Sequence, residues 1–309
     1  MATVQETRWD EAWASARETL EGVTSVRVAG ASEGVEIALR DWGGDGPLVF
    51  MHHANGFCAA TLAPIASALR ERFRVVGMDC RGQGDSTSVA PEGDAYHWGV
   101  LALDVERAVA ATLERTGHDR VALAIGHSFG GALLLRAASL GRTPIDRLLL
   151  CDPVLHEKPL PGVSHEGGSR LAAASRKRRD RFPSFAEAYE HCRTRGLFAH
   201  FTPEALALYV HEGMKPTGDD DEIALKCDRE IEAAIFDSNE SSVCADDVEA
   251  VRARTLFVHA QRGNFSLSIY EAIAARMSDG RVKSEDLGHL FPLENPDATL
   301  GFVEELLGD

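Results

Sequence analysis

Residues 121–131 read VALAIGHSFGG: a short apolar run leads directly into Gly126-His127-Ser128-Phe129-Gly130, and the helix-like ALLLRAASL follows. A strand that turns this abruptly into a helix is the setting of the G-x-S-x-G elbow, in which the central serine is thrust out at the turn. The serine is held in a strained conformation, and its flanking glycines must lack Cβ atoms because strand and helix nearly touch. The pentapeptide alone also fits a glycine-rich turn with an N-capping serine. The flanking strand and helix patterns therefore decide its reading.

The chain has 309 residues, enough for one large α/β domain or one domain carrying an insertion. Its 32 basic and 48 acidic residues give a net charge of −16, which argues against nucleic-acid and anionic-membrane partners. The basic run RKRRDR at 176–181 opposes that trend; its plain reading is a solvated helix face, and the alternative is an anion or carboxylate site. The N-terminal stretch MATVQETRWDEAWASARETLEG has acidic residues and no apolar core, so neither a signal peptide nor a membrane anchor is expected there. The expected location is the cytoplasm. Cys58, Cys80, Cys151, Cys192, Cys227 and Cys244 show no C-x-x-C spacing, as suits reduced thiols with no structural metal.

Short apolar runs alternate with longer helical patterns, the signature of a mostly parallel sheet flanked by helices. Eight strands are expected at 26–29, 35–41, 47–52, 74–79, 120–125, 147–151, 255–259 and 281–285, the first two antiparallel. Helices are expected near 61–71, 98–116, 129–140, 267–277 and 297–307. Between the sixth and seventh strands this rhythm stops, and FAEAYEHCRTRGLF, TPEALALYVHEGM and EIALKCDREIEAAIF read as helices. Residues 153–245 are thus expected to form an inserted helical cap on a core of 1–152 and 246–309, with the basic run on a cap helix. Most cap apolar residues, such as Phe182, Tyr189 and Tyr209, suit ordinary packing. Others should line a pocket between cap and core, beyond the carboxyl ends of the strands.

Three further motifs stand in order. The third strand is followed by His52-His53-Ala54-Asn55-Gly56-Phe57, the fourth ends in Asp79-Cys80-Arg81-Gly82-Gln83-Gly84-Asp85-Ser86, and Gly288-His289-Leu290-Phe291-Pro292 lies near the C-terminus. With the elbow on the fifth strand, the chain resembles the α/β-hydrolase superfamily over nearly its full length. The resemblance implies a His-Gly-x oxyanion loop (with Ala54 where glycine is usual), a D-x-R-G-x-G-x-S turn and a catalytic-histidine loop. It also implies a mostly parallel eight-stranded sheet with a helical cap.

Acyl transfer by such a site needs a nucleophile, a base, an acid to orient the base, and donors for the oxyanion. Ser128 and His289 take the first two roles. His127 is expected to pack beside the sheet, and His52 and His53 to shape the oxyanion loop. The usual acid position, after the seventh strand, falls at Gly263 in QRGNFS, where no carboxylate stands. The resemblance offers a second position, after the sixth strand, where LLLCDPV supplies Asp152. Asp152 could instead simply cap the turn before Pro153.

The backbone N–H of Phe129 is the first oxyanion donor. The second is the N–H of Asn55, or of Ala54 or Gly56 if the register shifts by one; the Asn55 side chain could also cap the next helix. A serine nucleophile disfavours dehalogenase and epoxide hydrolase chemistry. The expected activity is hydrolysis of a carboxylic ester, or related acyl bond, of a small to medium organic substrate without a cofactor. Two alternatives remain: a carbon–carbon bond hydrolase acting on vinylogous diketones, and a non-catalytic small-ligand receptor.

Overall fold

A computed structural model describes residues 3–156, 166–218, 221–238 and 248–308. Helix α1 (Val4–Glu18) comes first, followed by strands β1 (Thr24–Ala29), β2 (Glu36–Gly43), β3 (Leu48–His52) and β4 (Arg74–Met78). A 3-10 turn at Ala59–Leu62 and helix α2 (Ala63–Leu69) lie between β3 and β4. Helix α3 (Trp98–Thr116) precedes β5 (Leu123–His127), α4 (Phe129–Ser139) and β6 (Arg147–Cys151). The inserted segment carries α5 (Glu166–Lys177), β7 (Arg181–Phe182), α6 (Phe185–Arg193), α7 (Pro203–Gly213), β8 (Met214–Pro216), β9 (Ile223–Leu225) and α8 (Arg229–Asp237). The chain then returns to the main sheet with β10 (Arg254–Ala260), α9 (Leu267–Ala274), β11 (Gly280–Glu285), α10 (Phe291–Glu294) and α11 (Pro296–Gly308).

The main sheet has eight strands in the order β1-β2-β4-β3-β5-β6-β10-β11. The β1/β2 and β2/β4 pairs are antiparallel, and all later pairs are parallel. The central strands are buried on both faces, which explains their unbroken apolar runs. In β3, Leu48 and Phe50 join one core cluster while Val49 and Met51 join the other, the two-residue period of a strand. The fifth strand starts at Leu123 rather than at Arg120, because Val121 makes only an isolated bridge with Ile145. It extends to His127, so Ser128 follows its last residue directly.

The segment after β6 departs from an all-helical reading. Strands β7, β9 and β8 form a small antiparallel sheet, and Ile223–Leu225, expected as helix, is its middle strand. Asp228 explains the boundary: its side chain accepts from the Glu230 N–H at 2.7 Å, and this N-cap starts α8 afresh. The basic run is not a solvated helix face. It leaves α5 and enters β7, where Arg176 pairs with Glu230 and Asp237, Arg178 with Glu232, and Arg181 with Glu222. Three of these four acids lie on α8, so the run fastens α5 to α8.

Helix α1 packs against α6 and α7. Trp9 and Trp13 stack with Phe185 and His211, the Trp13 and His211 ring centroids lying 3.7 Å apart. From the main sheet, buried Arg40 on β2 reaches Glu212 of α7 at 2.7 Å and Asp85 at 2.8 Å, and Lys226 meets Asp85 at 2.7 Å. These pairs tie the inserted segment to the sheet. Cys58, Cys80, Cys151, Cys192 and Cys227 are buried free thiols, whereas Cys244 lies outside the described residues. No helix among the described residues is long and apolar enough to cross a membrane.

Candidate active site

Ser128 sits between the last residue of β5 and the first of α4 with φ 54° and ψ −118°. Its N–H donates to Cys151 O at 2.9 Å. A Cβ on Gly126 would lie 2.5 Å from Gly131 Cα, and one on Gly130 would lie 2.4 Å from His53 O. Those approaches are closer than real Cβ atoms make, so the elbow forms only with glycine at both positions.

His289, in the loop between β11 and α10, reaches Ser128 Oγ with Nε2 at 2.9 Å and Asp152 Oδ2 with Nδ1 at 2.6 Å. An ionised carboxylate can only accept, so Nδ1 carries the proton and the Nε2 lone pair faces the serine hydroxyl. Asp152 follows β6 with φ 43° and is fully buried. It joins Ser128 as the second non-glycine residue with positive φ among those described; aspartate tolerates that region better than most side chains. Its Oδ1 accepts from the Ala260 N–H at 3.0 Å and faces the Tyr270 hydroxyl at 3.0 Å, whose one proton it shares with Pro153 O at 2.9 Å. Burial and the neighbouring Asp152 charge push the Tyr270 phenol far up, so it remains a donor.

Gly263 lies beside this carboxylate. A Cβ on Gly263 would stand 2.6 Å from Asp152 Oδ2 and 2.9 Å from Ala260 O. The place next to His289 that an acid after β10 would fill is therefore already occupied by Asp152, reaching across from β6.

In the loop after β3, the Gly56 N–H donates to Gln83 Oε1 at 2.8 Å. Of the three N–H groups considered for the second oxyanion donor, this one is committed elsewhere. The Asn55 side chain caps no helix: Nδ2 donates to Glu232 O at 3.1 Å, and Oδ1 accepts from Gln83 Nε2 at 2.8 Å.

His53 Nε2 accepts from the Cys80 N–H at 2.9 Å, which leaves Nδ1–H to donate to Ala54 O at 2.7 Å. Burial lowers the His53 pKa to about 4 and that of His52 to about 3, so both rings stay neutral at ordinary pH. His127 is buried under the sheet end as expected, and its Nε2 donates to His289 O at 2.9 Å. Burial first, and the nearby His289 second, lower its pKa to about 3. A ring that is neutral at ordinary pH thus holds the backbone of the histidine loop.

The model of the alpha/beta hydrolase family matches residues 48–301. The chain belongs to the alpha/beta hydrolase family. In sequence, this family member is 33% identical over 106 residues to protein phosphatase methylesterase 1 of Gibberella zeae, a match covering 32% of this chain and 26% of that protein. It is 40% identical over 101 residues to a bifunctional esterase/perhydrolase of Acinetobacter calcoaceticus, covering 32% of this chain and 34% of that one. The chain thus spans only about a quarter to a third of the length of these relatives. In structure, E-2-(acetamidomethylene)succinate hydrolase superposes with a TM-score of 0.75 over 93% of this chain and 100% of its own, at 18% identity. At that identity the likeness concerns the fold alone.

Three residues of this alpha/beta hydrolase that touch the site had no assigned role in the sequence: Tyr270 on Asp152, Gln83 on the loop after β3, and the His127 bond to His289. Gln83 stands at a variable place inside a recognised motif. Tyr270 lies in a helix whose pattern marks it only as core. Neither has a periodicity or spacing that reports a contact so distant in sequence.

Proposed function

We propose that the protein is a serine hydrolase cleaving a carboxylic ester, or a related acyl bond, of a small to medium organic substrate through an acyl-enzyme. The observation that carries this reading is the continuous line from Asp152 through His289 to Ser128, at 2.6 and 2.9 Å. Ser128 Oγ attacks the carbonyl carbon as His289 Nε2 takes its proton, and Asp152 stabilises the imidazolium that forms. The oxyanion is received by the N–H groups of Phe129 and Asn55. His289 then protonates the departing alkoxide as the carbon–oxygen bond breaks. A water attacks the acyl-enzyme, gives its proton to His289, and Ser128 leaves with that proton, so no cofactor is consumed.

The esterase relatives favour oxygen esters over the carbon–carbon alternative, which uses the same serine, acid and base. Segment 153–245 acts in this reading as the cap over a small-molecule site, with 1–152 and 246–309 as the core, in a cytoplasmic protein. The test is fluorophosphonate labelling of wild type and Ser128→Ala, with turnover of nitrophenyl esters and of a vinylogous diketone. A single adduct and ester turnover, both lost in Ser128→Ala, are expected. Loss of the diketone without ester turnover would favour the carbon–carbon hydrolase, and no adduct on folded protein a ligand receptor.

A further inference from the structure

We propose that Gln83 is a positioning residue for the oxyanion loop, and that through Asn55 it couples this loop to helix α8. The inference rests on the reading above, in which the Asn55 N–H receives the oxyanion.

Gln83 is fully buried and Asn55 is 7% exposed. The hydrogen bonds between them have a direction that no amide flip can reverse. At one end the Gly56 N–H can only donate, so the Gln83 atom facing it at 2.8 Å is Oε1. Gln83 Nε2 must then donate to Asn55 Oδ1 at 2.8 Å. That leaves Asn55 Nδ2 to donate to the Glu232 carbonyl, which can only accept, at 3.1 Å. Both ends are backbone groups, so the order Gly56, Gln83, Asn55, Glu232 is imposed.

The chain is anchored at each end. Gln83 N–H donates to Cys80 O at 2.9 Å, and the turn around it is fixed by Asp79, which accepts from the Ala59 and Asp85 N–H groups at 2.7 and 2.9 Å. At the other end, Gly56 has φ 83°, and a Cβ there would lie 2.6 Å from Glu232 Oε1, so α8 rests directly on the loop. Gln83 therefore holds the peptide after Asn55 and the side chain of Asn55 at once. The N–H of Asn55 lies next to both held groups and is not among those that Gln83 binds. Oxyanion donors act by being fixed before the charge develops, so the glutamine serves the transition state without touching substrate. Because the last link is to α8, the loop takes this geometry only while α8 is seated.

The test compares wild type with Gln83→Met, Gln83→Glu and Asn55→Asp, on a nitrophenyl ester and on two inhibitors of the same acyl chain. One is a trifluoromethyl ketone, which adds to the serine and forms an oxyanion; the other is the plain alcohol, which does not. In Gln83→Met, kcat is expected to fall roughly 10- to 100-fold, somewhat less than for deletion of a whole oxyanion donor. The ketone should weaken by the same factor, while KM and alcohol binding stay within about two-fold, unlike the uniform loss of a ground-state contact.

Gln83→Glu keeps the acceptor for Gly56 but, once ionised, has no donor for Asn55. Its activity relative to wild type should recover as the pH falls. Asn55→Asp keeps the acceptor for Gln83 but, once ionised, loses the donor to Glu232 O and adds a charge beside the oxyanion; it should weaken the ketone selectively, with recovery as the pH falls. If Gln83→Met does not fold, the other two variants decide by the same measurements. Unchanged kcat and ketone affinity, or a loss confined to KM, would overturn the positioning role. Ester turnover surviving in Ser128→Ala would instead overturn the parent reading.

Discussion

Asp152 Oδ2 lies 2.6 Å from the point at which a Cβ on Gly263 would project. The glycine after β10 and the aspartate after β6 are two halves of one arrangement: the acid can come from β6 because the β10 turn supplies room and no side chain. Gly263→Ala should therefore displace the carboxylate or the His289 ring. We expect kcat to fall by up to about 10²-fold, as for misplacement of reacting groups by about 1 Å. Asp152→Asn should cost on the order of 10³–10⁴ in kcat by the general logic of a triad acid. Steady-state kinetics with circular dichroism checks both, and full activity in either variant would contradict the arrangement.

Tyr270→Phe removes the hydroxyl that Asp152 Oδ1 shares with Pro153 O, leaving the Ala260 N–H as the partner of that oxygen. A buried carboxylate that loses a donor should cost about 1–3 kcal/mol of stability. Urea denaturation measures that loss, and kcat should fall with it. A variant as stable and active as wild type would show that the hydroxyl does not matter to the acid.

Ser128 has φ 54° and ψ −118°, a conformation that glycine adopts without strain. Ser128→Gly should abolish turnover and yet stabilise the fold by about 1 kcal/mol, the lower end of the cost of a residue held in a sparsely populated region. The readout is a rise in Tm of the inactive variant above both wild type and Ser128→Ala.

His127 has a pKa near 3 in the folded protein, below the ordinary imidazole value in the unfolded chain. Acid therefore favours the unfolded state, which binds the extra proton. The stability this ring contributes is fully present above about pH 6.5 and is lost as the pH falls toward 3, at up to about 1.4 kcal/mol per pH unit. His127→Gln should show a shallower fall in urea midpoint between pH 7 and 5 than wild type. Parallel slopes would mean that the ring is not held neutral.

Local patterns made the sheet legible. β3, β4 and β6 are short apolar runs, and three of the four motifs follow β3, β4 and β5, interior strands that the sheet buries on both faces. Ser128 could be singled out for a similar reason, since a strained turn needs particular residues next to one another in sequence. The small sheet of the inserted segment was not legible, because β7, β8 and β9 are two or three residues long and show no repeat. Nor was the destination of the basic run, since its partners come from another helix.

By itself, then, the sequence determined the order of the eight main-sheet strands along the chain, the elbow with Ser128, the histidine loop, and the absence of an acid after the seventh strand. Asp152 could be named from its place after β6, but only the tertiary structure decided what it touches. The packing of β6 against β10 brings Asp152 to Gly263, Tyr270 and His289, and the seating of α8 brings Glu232 to Asn55 and Gln83. Those contacts join residues far apart in the chain. A hydrogen bond between them leaves no periodicity in either stretch, so it exists only once the chain has folded.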